Sequence, residues 1–245
     1  VTGHPQAAGD GPKERVWRVR ARQVIIAAGS IERPLVFPNN DRPGIMLASA
    51  VSTYVNRYAV APGRRALIFT NNDSAYQTAL DLVDAGVVVA GVVDVRPDPQ
   101  GPLPTKVKEK DIEVITGHAI VDVIGGKRVN GVEIMRIDAT GDAVEGRVQK
   151  IFCDLVANSG GWNPTVHLHG QSGGTTRFDA AKASFVPDEA AQAERSAGSC
   201  NGSFALADCL NEGLAAGADA ARAAGGATAG WGYGIIQAKV PATED

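Results

Sequence analysis

A chain of 245 residues with 44% hydrophobic and 21% charged residues has globular composition, with apolar material for one large core or two modest ones, which excludes wholesale disorder. The formal net charge of -3 gives no global attraction to nucleic acid or an anionic membrane, and no apolar run reaches the ~18 residues of a membrane span. Cys153, Cys200 and Cys209 form no CxxC pair and leave an odd thiol, so neither a disulfide framework nor a zinc ribbon is indicated; a cytoplasmic, unexported protein is expected.

From Glu14 to Gly29 the sequence alternates and then turns continuously apolar, predicting an exposed strand that leads into one buried on both faces. Pro34 and Pro38 interrupt regular structure, and a helix-like run follows from Ile45 to Val60, closed by Pro62-Gly63. Next come a strand Ala66–Thr70, a helix Ser74–Ala85 and a strand Val87–Val95. Two apolar strands with a helix between them predict a βαβ crossover in a parallel sheet. After the Pro-rich loop RPDPQGPLP, the stretch Glu113–Lys150 is broken by Gly125-Gly126, Asn130-Gly131 and Gly141-Asp142, which predicts an antiparallel meander. Ile151–Ala157 reads as another buried strand, and Gly202–Ala224 as a short strand, a turn and an Ala-rich helix.

Four segments carry the functional reading: IIAAGSIERP (Ile25–Pro34), ALIFTNNDSAYQTA (Ala66–Ala79), DLVANSGGWNP (Asp154–Pro164) and GSFALADCLNEG (Gly202–Gly213). Small residues at strand ends let a pyrophosphate or flavin approach the backbone, where a long side chain would block it. In this order the segments resemble the two-dinucleotide-domain flavoproteins of the glutathione-reductase-like superfamily. The resemblance implies an α/β, FAD/NAD(P)-binding Rossmann-like, three-layer fold. Residues 1–38 and 150–225 would form the C-terminal part of a first dinucleotide-binding domain, 39–149 an inserted NAD-type domain, and 226–245 a linker or arm. It also implies a cofactor site from Ala27, Ala28 and Gly29 on one side and Gly160, Gly161 and Asp208 on the other, with DLVANSGGWNP as the strand returning to the first domain.

The phosphate loop of the inserted domain departs from Gly-x-Gly-x-x-Gly. Thr70 and Asn72 stand where glycines would allow a tight turn, while Ala75 is an accepted variant. Asp94, about 20 residues beyond Ala75, stands where a carboxylate would accept a ribose 2′-hydroxyl. The altered loop favours a domain that keeps the fold without holding a nucleotide there, and Arg96 can be read as a solvated strand-end charge. His167 and His169 could face a metal together, but with no third ligand nearby a surface loop is the expected reading. No Gly-x-Ser-x-Gly elbow supports hydrolase chemistry, and the missing CxxC removes the disulfide-reductase branch.

Longer stretches, ERPLVFPNNDRPGIMLASAVSTYVNRYAVAPG, GGWNPTVHLHGQSGG and RFDAAKASFVP, are similar to the alpha subunits of heterotetrameric sarcosine oxidases and to the related opine oxidase and hydrogen cyanide synthase subunits. This resemblance implies an internal fragment of a longer subunit that lacks the opening βαβ unit. It implies NAD or FAD at the incomplete first domain, the amine-oxidising flavin in a partner subunit, and no catalytic residue in this chain. Partners would be the other subunits of a heteromeric oxidase. An exposed sheet edge further predicts an oligomer or an unstable monomer. Opine or glycine oxidation, or a non-catalytic scaffold module, are the alternatives.

Overall fold

The computed structural model describes residues 16–226. The linker or arm expected at 226–245 lies, but for its first residue, outside the described residues, as do residues 1–15. The chain divides into two compact units, Ser30–Asn163 and a second one formed by residues up to Gly29 with those from Pro164 onward.

In chain order the structure begins with the short strands β1 (Val24–Ile26), β2 (Ser30–Glu32) and β3 (Ile45–Leu47). Helix α1 (Ala48–Tyr58) leaves β3 directly, so the run expected to be one helix from Ile45 is divided. Its first three residues are hydrogen-bonded alongside a neighbouring strand, and tertiary pairing overrides their helical spacing. Strand β4 (Arg65–Thr70), helix α2 (Ser74–Asp84) and strand β5 (Val88–Asp94) form the expected βαβ crossover.

Helix α3 (Pro102–Glu109) arises inside the Pro-rich segment, where no helix was expected. Pro102 lies in its first turn, where a missing N–H costs nothing and the fixed φ favours helix. Strand β6 (Val114–Thr116) then joins β5 in parallel rather than opening the meander. The antiparallel meander proper is β7 (His118–Ile124), β8 (Gly131–Ile137) and β9 (Val144–Ile151).

Strand β10 (Leu155–Ser159) pairs in parallel with both β3 and β4, giving a five-stranded sheet of order β3-β10-β4-β5-β6. This corrects the expected division at residue 150, because β10 is a buried interior strand of the Ser30–Asn163 unit rather than one returning to the first domain. Only an interior position gives all five of its residues, polar Asn158 and Ser159 included, partners and burial. Strand β11 (Trp162–Pro164) pairs with β2.

The sheet is covered on both faces, which is why its strands are apolar throughout instead of alternating. Ala66, Ile68, Val92, Leu155 and Ala157 point to a core shared with α1, α2 and α3. Their neighbours Leu67, Phe69, Val93 and Val156 point the other way, into a core with the meander residues Ile120, Val123, Val132 and Ile134. Phe37 closes that second core edge-on against Phe69, ring centroids 5.5 Å apart.

The other unit continues with the short helix α4 (His167–Gln171), a hairpin of β12 (Thr176–Asp179) and β13 (Ser184–Pro187), and strand β14 (Glu194–Ser196). β14 pairs with β1 in parallel. A 3-10 turn, Gly198–Asn201, leads to α5 (Leu206–Ala223), so the short strand expected after Gly202 is not formed. Cys200 ties these pieces together, its buried thiol donating to the Ile26 and Ala197 carbonyls. Only Ile26 of β1 is buried; Val24 and Ile25 are exposed among the described residues, unlike the doubly covered strand expected there. No helix among the described residues is long and apolar enough to cross a membrane.

Candidate functional site

In a parallel α/β sheet, ligands settle in the crevice at the carboxyl ends of the strands where strand order reverses. In the Ser30–Asn163 unit that point lies between β4 and β10, because β5 and β6 extend the sheet to one side of β4 while β10 and β3 extend it to the other. Register sets Ser159 beside Thr70, Thr70 beside Asp94 and Asp94 beside Thr116, a row of polar strand ends along this edge.

The loop after β4 is closed on itself. The Asn72 N–H donates to Thr70 Oγ1 at 3.0 Å, and the Asn72 side-chain amide crosses the reversal point to Ser159 Oγ, also at 3.0 Å. Ser74 Oγ donates to Asn72 Oδ1 at 2.6 Å and accepts from Trp162 Nε1 at 3.0 Å. Thr70 and Asn72, which replace the fingerprint glycines, thus use their side chains as internal ligands of the loop.

Asp94 is fully buried, and its carboxylate oxygens are taken by protein donors. Tyr76 Oη donates at 2.8 Å, the Arg96 N–H at 2.9 Å, and the Arg96 guanidinium through Nε and Nη2 at 2.8 to 3.3 Å. Arg96 Nη2 also reaches Asp73 Oδ1 at 2.6 Å. Arg96 is therefore a partly buried bridge between two carboxylates, not a solvated charge. Burial, reinforced by the hydrogen bond to Asp94, pushes the Tyr76 hydroxyl far above the ordinary phenol range, so it stays a donor.

The N-terminus of α1, a natural anion site of such an edge, already holds a carboxylate. Buried Glu32 accepts the Ser49 N–H at 2.8 Å and the Ser49 hydroxyl at 2.6 Å in the first turn of α1. Asp73 stands at the N-cap of α2. Gly160 and Gly161 are pressed against the chain's own backbone: the Gly160 N–H donates to the Arg33 carbonyl at 2.6 Å, and the Arg33 N–H to the Gly161 carbonyl at 2.9 Å. A Cβ on Gly160 would sit 2.9 Å from the Pro34 carbonyl oxygen, so its smallness is required by this internal contact.

The other candidates lie in the second unit. Ala27 and Ala28 are exposed just past β1, and Gly29 has φ +77° with open space where a Cβ would point. Thr165 donates its N–H to the Gly29 carbonyl at 3.0 Å, while its buried hydroxyl has no protein partner. Ser196, paired with Ile26 at the end of β14, also carries a buried unpartnered hydroxyl. Asp208 is exposed in the first turn of α5, where the helix dipole favours a carboxylate. The proposed set is thus divided, with Ala27, Ala28, Gly29 and Asp208 in one unit and Thr70, Asn72, Asp94, Gly160 and Gly161 in the other.

His169 is a core residue rather than part of a surface loop. It is 2% exposed, with Nδ1 2.7 Å from Glu194 Oε1 and Nε2 2.7 Å from the Thr175 carbonyl. Both ring nitrogens are engaged by protein atoms, and no group of three or more metal-ligating side chains is found among the described residues. Sequence reasoning missed Tyr76 and Glu32. Tyr76 has the helical apolar spacing of an ordinary core residue, and Glu32 lies outside any helix that it could be seen to cap.

No family model matches the sequence. The chain is 42% identical to sarcosine oxidase subunit alpha of Corynebacterium sp. (strain P-1) over 222 residues, 88% of this chain and 23% of that protein. It is 39% identical to the corresponding subunit of Rhizobium meliloti (strain 1021) over 204 residues, 83% of this chain and 19% of that protein. Among solved structures it is similar to an L-proline dehydrogenase from P. horikoshii, with TM-score 0.58, 22% identity and coverage of 84% of this chain and 35% of that one. It is likewise similar to thioredoxin reductase of T. acidophilum, with TM-score 0.60, 18% identity and coverage of 82% and 64%. The likenesses to these solved structures establish the Rossmann-like α/β fold. The chain spans about a fifth of the length of the curated relatives it matches, and over that span it is similar to sarcosine oxidase alpha subunits.

Proposed function

We propose that this chain is the dinucleotide-binding portion of a sarcosine oxidase alpha-type subunit, acting in the cytoplasm within a heteromeric oxidase that oxidatively demethylates sarcosine. The observation that carries the reading is the 42% identity across 88% of the chain. A bound NAD or FAD would supply hydride-transfer chemistry, and a flavin in a partner subunit would oxidise the amine.

The chain's own part is to bind and orient. Gly29 leaves room for close backbone approach, Ala27 and Ala28 line the same loop, and Thr165 and Ser196 offer buried hydroxyls still in need of partners. Asp208 would accept from a cofactor hydroxyl at the start of α5. Subunit contact is supported by exposed apolar side chains of the same unit, among them Trp17, Val19, Ile25 and, four residues apart along α5, Leu206, Leu210 and Leu214.

Calorimetric titration of the full-length subunit with NAD and with FAD tests this. Saturable binding of one of them is expected. Gly29→Ala should weaken it by about tenfold while costing only about 1 kcal/mol of stability for a side chain in the left-handed region. Absence of binding to either dinucleotide would leave a scaffold module instead, and assays of the whole complex with sarcosine, octopine and glycine separate the substrate classes.

A further inference from the structure

We infer that the Ser30–Asn163 unit is a self-liganded nucleotide fold, in which the chain's own side chains occupy the carboxyl-edge crevice and no dinucleotide binds. This inference concerns only that unit and holds whether or not the proposed cofactor site in the other unit is correct.

Four features of the edge place a protein group where a dinucleotide needs space or a free partner. At the strand-order reversal, where a pyrophosphate would lie, the Asn72 amide bridges from the loop after β4 to Ser159 at the end of β10. At the start of α2, the N-cap residue Asp73 makes no cap bond to the helix and is paired with Arg96, and its negative charge would repel a second anion there. At the end of β5, Asp94 is fully buried and receives the Tyr76 hydroxyl together with the Arg96 N–H and guanidinium, which leaves no place for a ribose hydroxyl. Along the edge above β10, Arg33 and Pro34 lie on Gly160, while the Asn158 side chain receives the Leu35 N–H at 3.0 Å and donates to the Leu35 carbonyl at 2.8 Å. Residues 33–35 therefore roof the end of the strand.

These groups satisfy one another. Among the described residues, no buried side-chain nitrogen or oxygen of this unit lacks a hydrogen-bond partner; the unpartnered ones belong to Thr165, Ser184, Glu194, Arg195 and Ser196. A nucleotide could enter only by breaking several of these bonds, each worth roughly 1 kcal/mol net and more where a charge is left buried. The closure is a stable structural element, and its arginine and tyrosine are positioning residues for the fold rather than for a ligand.

The test uses the full-length subunit, titrated with NAD and with FAD, with hydrogen exchange followed at the amides of residues 70–76. The closed crevice predicts slow exchange in that loop without ligand and no added protection when either dinucleotide is present. Asn72→Ala and the milder Tyr76→Phe should leave any measured dinucleotide affinity within about twofold of the parent. Protection of residues 70–76 on adding a dinucleotide, or an affinity loss above about tenfold in Tyr76→Phe with its fold intact, overturns the inference. If the subunit binds neither NAD nor FAD, the proposed function fails, and the exchange of the free protein still decides this point: slow exchange at 70–76 upholds the closure, and exchange as fast as an open loop refutes it.

Discussion

The two units of this chain finish their parallel strands in opposite ways. In Ser30–Asn163, the strands end in Ser159, Thr70 and Asp94, whose polar atoms are spent on the chain's own Asn72, Tyr76 and Arg96. In the other unit, β1 and β14 end near Gly29 and Ser196, where a glycine faces open space and buried hydroxyls are left without partners. Buried polar groups are nearly always satisfied. A unit that satisfies its own needs leaves no free polar group for a ligand at that edge, whereas one that does not leaves groups for a ligand, water or another chain to satisfy. A Rossmann-like fold thus sets the place where a dinucleotide can bind, and a few side chains determine whether that place is open.

The sharpest way to break the comparison is Asp94→Ala. It leaves the Arg96 guanidinium without its buried partner and the Tyr76 hydroxyl without an acceptor, and should cost about 3 kcal/mol in denaturant unfolding. A neutral outcome would mean that the closure contributes nothing to the fold. Gly160→Ala comes next, because its Cβ would press on the Pro34 carbonyl; a loss of about 2 kcal/mol is expected. Were that substitution silent for stability but damaging to dinucleotide affinity, Gly160 would serve the cofactor after all.

The smallest effect concerns the core between the sheet and the meander, where Cys153 is buried. Burial, aided by neighbouring Asp154, pushes the Cys153 thiol from 9.0 up to about 12. The unfolded chain releases this proton at lower pH than the folded one, so the contribution is fully present below about pH 9 and is lost as pH rises toward 12. Unfolding free energy should therefore fall by up to roughly 1.4 kcal/mol per pH unit through that window from this group. Urea titrations at pH 8 and pH 10 should show a shallower decline for Cys153→Ala than for the parent.

Much of the fold was legible in the residues. The unbroken apolar runs of β4 and β5 with an amphipathic helix between them permit little besides a covered parallel sheet, and Gly-punctuated alternation marked the meander. Helix α3 was hidden because its prolines read as loop residues until their first-turn placement is known. β6 was absorbed into the meander because a three-residue apolar strand carries no sign of parallel or antiparallel pairing. β10 was assigned to the wrong unit for the same reason: burial was evident in Leu155–Ala157, but its hydrogen-bonding neighbours were not. The burial of His169 carries no local signal, because its partners, Thr175 and Glu194, are brought to it by the turn after α4 and by β14.

The candidate site divides along the same line. Taken alone, the sequence determined that the β4–α2–β5 crossover would form and that its phosphate loop lacked the fingerprint glycines, since both follow from local periodicity and from the backbone freedom of particular residue types. Only the tertiary structure decided what became of that loop, because Asn72 meets Ser159, and Glu32 meets Ser49, through strand register and chain crossings between segments far apart in sequence. Local chemistry sets what each residue can do, and long-range packing sets which partner it finds.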